Sequence, residues 1–153
     1  GFQMMTEGLL EMIRRHEGLR LKPYICPGGH ATIGFGWNMD AHPLPDDIAA
    51  CLRVNGAITQ DMAERLLNIS VDMATRQARA IYPGFDDFSE RRRYALVDFV
   101  FNLGAGGAMK FKKMRAAIAD GDWDRAADCM IQSKWFRQVG NRSREIVGLI
   151  REG

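Results

Sequence analysis

The 153-residue chain has no uninterrupted apolar stretch near the ~20 residues needed to cross a bilayer, so no stable membrane insertion is expected. Its three cysteines, Cys26, Cys51 and Cys129, are too few and too scattered for a disulfide framework, and they lack metal-ligand spacing. No metal and no organic cofactor is implied. A charged-then-apolar leader with a small-residue cleavage site is missing, and Gly1 reads as a remnant of expression. Together these absences predict a protein made in a reducing cytoplasm. An excess of one charge is missing too: 21 Lys and Arg face 19 Asp and Glu, for a net charge of +2. Basic residues do cluster at Arg91-Arg92-Arg93, at Lys110, Lys112 and Lys113, and at Arg142 and Arg144. Such clusters suit nucleic acid, an anionic cell wall, or plain solvated helix faces. Glu90, Asp120, Asp122 and Asp124 dilute the field, and no zinc-finger spacing or RNA-binding aromatic motif accompanies it. Nucleic acid is therefore not an expected partner.

A hydrophobic content of 46% is ample for a core and too high for a disordered chain. Leu9, Leu10, Met12 and Ile13 recur at helical spacing, and Gly18 is a plausible stop for that helix. Pro43 and Pro45 mark a loop before a short helical piece from Asp46 to Val54, which Asn55-Gly56 breaks. Thr59 is a good N-cap, with Asp61 in the first turn. From Gln60 the pattern Met62, Leu66, Leu67, Ile69, Met73 and Ala80 stays helical until Pro83, a span of roughly 30 Å at ~1.5 Å per residue. Ser89 caps a helix whose stripe Tyr94, Val97 and Phe101 looks buried, and Gly104, Gly106 and Gly107 interrupt it. Phe111 to Ala119, Trp123 to Ile131 and Asn141 to Ile150 supply three shorter helices.

The stretch from Glu17 to Trp37, EGLRLKPYICPGGHATIGFGW, carries the chemistry. Eight residues separate Glu17 from Cys26, and five separate Cys26 from Thr32. A carboxylate in the last turn of a helix faces the negative end of its dipole, a placement that suits a proton donor. Cys26 offers a thiol that is mostly neutral at its ordinary pKa of ~8.5. It could orient a water, act as base if its pKa is depressed, attack carbon, or simply pack as a small apolar residue. The Thr32 hydroxyl both donates and accepts, as holding a water beside Cys26 requires. Gly28, Gly29, Gly34 and Gly36 let the backbone turn tightly and, alone, indicate only a hairpin.

The order Glu-x8-Cys-x5-Thr, the opening Glu17-Gly-Leu-Arg-Leu-Lys22, Tyr24, and Thr32-Ile33-Gly34 with Gly36 resemble the active-site segment of the phage-type (T4-like) lysozymes, a glycoside hydrolase family with Asp or Cys at the middle position. Gly56-Ala57-Ile58-Thr59, Arg92 to Gly104, and Trp135-Phe136 with Asn141-Arg142 extend the resemblance over roughly residues 7 to 152. It implies a mostly helical α+β fold in one domain: a lobe at about 16–59 with an active-site hairpin, a connecting helix at about 60–81, and a helical lobe at about 82–153 joined by the N-terminal helix. The implied activity is a muramidase acting on bacterial peptidoglycan at the bond between N-acetylmuramic acid and N-acetylglucosamine. Glu17 would be the acid, with Cys26 and Thr32 positioning water. A monomer is expected, made in the bacterial host cytoplasm and acting on the cell wall or periplasm after release. A lytic transglycosylase, which needs no strong water base, and a noncatalytic peptidoglycan binder on the same fold are the alternatives.

The resemblance also marks substrate-side positions. Asn102 would contact sugar, Phe101 would line the cleft or pack in the core, and Arg142 would lie near Glu17. Three positions depart from the family besides Cys26. Trp37 replaces a common His and is expected to pack in the core, whereas Met114 and Cys129 stand where family members can present small polar groups to the sugar.

Overall fold

In the computed structural model residues 2–153 are described, with side chains from Glu7 onward; Gly1, the expected expression remnant, lies outside the described residues. The first helix, α1 (Phe2–Glu17), buries Leu9, Leu10, Met12 and Ile13, the four residues whose spacing announced it. It stops where Gly18 takes φ +73° and donates its N–H back to the Arg14 carbonyl at 2.9 Å. Three short antiparallel strands follow in sequential order: β1 (Arg20–Ile25), β2 (Ala31–Gly34) and β3 (Trp37–Asn38). Tyr24 pairs with Thr32 and Ile25 with Ala31, while the ladder is irregular between Arg20 and Tyr24, where Pro23 has no N–H to give. On β2, Thr32 and Ile33 are both buried, at 2% and 0% exposure. Trp37 opposite Ile33 is in the core, as expected, and its indole N–H donates to the His42 carbonyl at 3.1 Å.

Helix α2 (Asp46–Asn55) ends at Gly56, and Thr59 caps α3 (Gln60–Ile81) by accepting the Met62 N–H at 3.1 Å. Both ends agree with the capping signals. The buried face of α3 does not follow the large side chains. Ile69 is 42% exposed and Ala80 is exposed, while Ala63, Leu66, Leu67, Val71, Ala74 and Ala78 form the inner stripe. Alanines at 63, 74 and 78 lie on the core side, and a pattern read from bulky residues alone overlooks them. The chain forms two compact units, residues 1–71 and 72–153, and α3 runs through the boundary in sequence. In the first unit, Arg14 of α1 grips Glu64 of α3 through paired bonds of 2.8 Å each from Nε and one terminal nitrogen.

The second unit is helical. After a single 3-10 turn at Phe85–Asp87 come α4 (Glu90–Met109), α5 (Lys112–Ala119), α6 (Trp123–Ile131), α7 (Lys134–Val139) and α8 (Asn141–Glu152). Ser89 caps α4, accepting from the Arg92 N–H at 3.3 Å. Gly104, at φ +76° and ψ +159°, kinks α4 instead of ending it: helix resumes and runs to Met109. Of the α4 stripe, Val97 is buried while Tyr94 and Phe101 are half-buried. Helix α7 has no counterpart in the periodicity reading. Six residues are too few to show an amphipathic period, and this helix depends on tertiary bonds: Ser133 caps it, and the Ser143 hydroxyl donates to the Phe136 carbonyl at 2.8 Å. Phe99, Phe111 and Trp135 pack edge-to-face, with ring centroids 4.9–6.4 Å apart.

Candidate active site

Glu17 is the last residue of α1, so its side chain leaves the helix where Gly18 turns the backbone away. Gly36, in the turn between β2 and β3, lies against its carboxylate. A β-carbon on Gly36 would lie 2.2 Å from Glu17 Oε1 and 2.8 Å from Cδ, well inside contact distance. Gly36 also sits at φ +77°, so its backbone favours glycine, and any side chain there would have to push the Glu17 carboxylate aside.

Cys26 and Thr32 face each other across the β1–β2 hairpin. The turn from Cys26 to His30 is closed by Cys26 N–H to the His30 carbonyl (3.0 Å) and Gly29 N–H to the Cys26 carbonyl (2.8 Å). Cys26 is half-buried and Thr32 buried. The thiol's pKa is drawn below its ordinary value, first by the His30 backbone N–H and then by the Thr32 hydroxyl; desolvation opposes this, and the backbone at Gly28 adds to it. The single hydroxyl proton of Thr32 has two acceptors in reach, the His30 carbonyl at 2.9 Å and the Cys26 sulfur. Deprotonating the thiol makes sulfur the better acceptor, and the hydroxyl can rotate to it.

Tyr24 links the two ends of the motif. Its phenol pKa is raised above its ordinary value by burial first, and then by Glu17 and Cys26, while Arg20 acts in the opposite sense. The Arg20 guanidinium lies 5.1 Å from the Tyr24 ring centroid. Glu17, Cys26 and Thr32 thus all belong to the first unit, gathered around Tyr24, Gly36 and the hairpin turn. His30 and Asp40 pair at 3.8 Å beside the same hairpin, and the motif spacing marks neither. One signal was available: His30 is one of only three histidines in the chain and lies four residues after Cys26.

The other expected site residues lie in the second unit. Asn102 is half-buried on α4, and its Oδ1 accepts the Trp135 indole N–H at 2.7 Å. Phe101 beside it is half-buried. Arg142, at the start of α8, donates from Nε (2.9 Å) and a terminal nitrogen (2.6 Å) to Oδ1 of Asp98, a carboxylate with no exposed surface. Asp98 lies among the apolar residues of α4, and no periodicity reading would pick it out. Met114 is fully buried, so it is a core residue in place of a sugar contact; Cys129 is half-buried. The basic run at Arg91-Arg92-Arg93 is partly internal. Arg92 donates to the Ile150 and Arg151 carbonyls at the end of α8 (2.8 and 2.9 Å) and stacks 4.4 Å from Trp123. Desolvation of Arg92 depresses its pKa. No helix among the described residues is long and apolar enough to cross a membrane.

Comparison with known proteins gives this geometry its context. The phage lysozyme family matches residues 14–152. The pre-baseplate central spike protein Gp5 of Enterobacteria phage T4 is 30% identical over 95% of this chain, although the chain spans only 28% of that protein's length. A probable T4-type lysozyme of Dictyostelium discoideum is 26% identical, covering 97% of this chain and 96% of that protein. An endolysin of Acyrthosiphon pisum secondary endosymbiont phage 1 is 27% identical, over 96% and 90% of the two chains. A family match that runs from the end of α1 into the last turn of α8 and takes in Glu17, Cys26 and Thr32 settles the kinship: the chain belongs to the phage lysozyme family.

Proposed function

We propose that this chain is a peptidoglycan-degrading muramidase that hydrolyses the β-1,4 bond between N-acetylmuramic acid and N-acetylglucosamine. Glu17 gives its proton to the departing glycosidic oxygen, and Cys26 with Thr32 holds the water that attacks the opposite face of the sugar. The carrying observation is the room kept for Glu17 by Gly36, in the same unit as a thiol already drawn toward its charged form by hydrogen bonds. A thiolate with a hydroxyl beside it can accept a hydrogen bond from water and align it, which a neutral thiol does poorly. In the second unit, Asn102 offers its amide nitrogen to a sugar hydroxyl or N-acetyl carbonyl while its oxygen is taken by Trp135. Phe101 supplies an apolar surface, and Arg142 a cation held on Asp98.

Purified peptidoglycan incubated with the wild type, Glu17→Gln and Cys26→Ser, followed by mass spectrometry of the released muropeptides, tests this. New reducing ends from the wild type, reduced roughly 10²-fold or more in Glu17→Gln, are the expected result. Ends carrying a 1,6-anhydro sugar would identify a transglycosylase instead. Binding without any release by the folded wild type would overturn catalysis altogether.

A further inference from the structure

An aspartate at the middle position of the motif would be ionised at neutral pH without help, whereas a free thiol, with a pKa of ~8.5, would be mostly neutral. The hairpin around Cys26 contains a side-chain pair placed to correct this. Asn38 of β3 turns the chain by accepting the N–H groups of Asp40 (2.9 Å) and Ala41 (3.0 Å) at its Oδ1. That turn brings Asp40 Oδ2 to the Ala31 N–H at 3.0 Å and to His30 Nδ1 at 3.8 Å. With Nδ1 on the Asp40 side, the Nε2–Cδ2 edge of the ring faces Gly28. A methyl group on Gly28 would lie 3.5 Å from His30 Cδ2 and 3.9 Å from Nε2, and 3.7 Å from Cys26 Sγ. The imidazole edge and the sulfur therefore both border the space beside Gly28. Both His30 and Asp40 are more than half exposed, so the pair acts through geometry and adds little to stability. Tyr24 also interacts with the thiol, and Glu17 and Arg20 in turn act on Tyr24.

We propose that His30, oriented by Asp40, is a positioning residue for Cys26 that takes up the thiol proton and so supplies the negative charge an aspartate would carry by itself. This rests on the reading of Cys26 as a water-holding group. The step balances: the S–H bond breaks, the proton passes through solvent water, an N–H bond forms at Nε2, and the thiolate and imidazolium together keep the charge of the thiol and imidazole. The thiolate then accepts the Thr32 hydroxyl and a hydrogen bond from water. Neither side chain of the His30–Asp40 pair touches the glycan in this scheme.

The test uses the whole chain with His30→Gln, Cys26→Asp and the double variant, together with Gly28→Ala and Cys26→Ala. Alkylation by iodoacetamide at neutral pH is followed by mass spectrometry of the peptide containing Cys26, and kcat and KM are taken from muropeptide release. His30→Gln is expected to slow alkylation of Cys26 and lower kcat by about tenfold with little change in KM, as one pKa unit of lost thiolate would give. In the Cys26→Asp background the His30→Gln loss should shrink to within about twofold. Gly28→Ala, whose methyl enters the shared space at ordinary contact distances and without a positive φ, should slow alkylation in the same direction with the melting temperature preserved. An equal His30→Gln loss in both backgrounds, with alkylation as fast as in wild type, would mean that His30 only shapes the hairpin, and the proposal would fall. Full activity of Cys26→Ala would instead overturn the catalytic reading of Cys26, whatever the alkylation rates.

Discussion

Gly36 lies so close to the Glu17 carboxylate that a β-carbon there would sit 2.2 Å from the glutamate's Oε1 and displace it. The last residue of α1 and the turn after β2, nineteen residues apart in sequence, thereby meet at one carboxylate. Gly36→Ala must displace the Glu17 side chain and also hold φ near +77°. The strained backbone should cost about 1–2 kcal/mol in chemical denaturation. Muropeptide release should fall about as far as in Glu17→Gln. Near-normal activity in Gly36→Ala would show that the carboxylate's position is not critical.

The Arg142–Asp98 pair makes a separate prediction, on stability. Asp98 has no exposed surface and the Arg142 side chain retains only 11%, so removing one partner strands the other away from water. Asp98→Ala should lower unfolding free energy by about 3–5 kcal/mol, measured by urea denaturation. Replacing both with apolar residues, as in Asp98→Leu with Arg142→Met, should recover much of that loss, because the desolvation of two charges disappears with them. Asp98→Ala unfolding at the wild-type midpoint would show that the pair contributes nothing.

Tyr82 predicts an alkaline effect. Its ring is buried, its hydroxyl has no hydrogen-bond partner, and burial raises its pKa well above the ordinary phenol value. A pKa raised on folding leaves its stabilisation fully present below the unfolded value of ~10, and the stabilisation declines as pH rises beyond it, since the unfolded chain ionises first. Tyr82→Phe should therefore be neutral or slightly stabilising near pH ~7, because it removes an unpaired buried hydroxyl. Above pH ~10 the variant should lose less stability than the wild type in melting experiments. A strongly destabilised Tyr82→Phe at neutral pH would reveal a hydroxyl bond that matters.

Asn102 allows its structural and sugar-binding roles to be separated. Asn102→Ala removes the acceptor for the half-shielded Trp135 indole N–H and should cost about 1–3 kcal/mol in melting or denaturant experiments. Asn102→Asp keeps an acceptor oxygen for Trp135 and loses the amide donor. Wild-type-like stability with a raised KM is expected for it. An unchanged KM in a stable Asn102→Asp would remove Asn102 from the sugar-contacting residues.

The sequence by itself determined the helices whose apolar residues repeat over several turns, the caps at Thr59 and Ser89, the stop at Gly18 and the kinship carried by Glu17, Cys26 and Thr32. These are legible because they depend on neighbours within a few positions, or on fixed spacing along the chain. Tertiary structure decided the rest. It put small alanines of α3 on the inner face and Ile69 on the surface, and it made a helix of residues 134–139 whose few local bonds could not hold it alone. It buried Met114, paired Arg142 with Asp98, and set Gly36 against Glu17 and Asp40 beside His30. Each of these is a contact between segments distant in sequence, or across a turn whose path only the folded chain sets, and its energy comes from burial and geometry that no local pattern encodes.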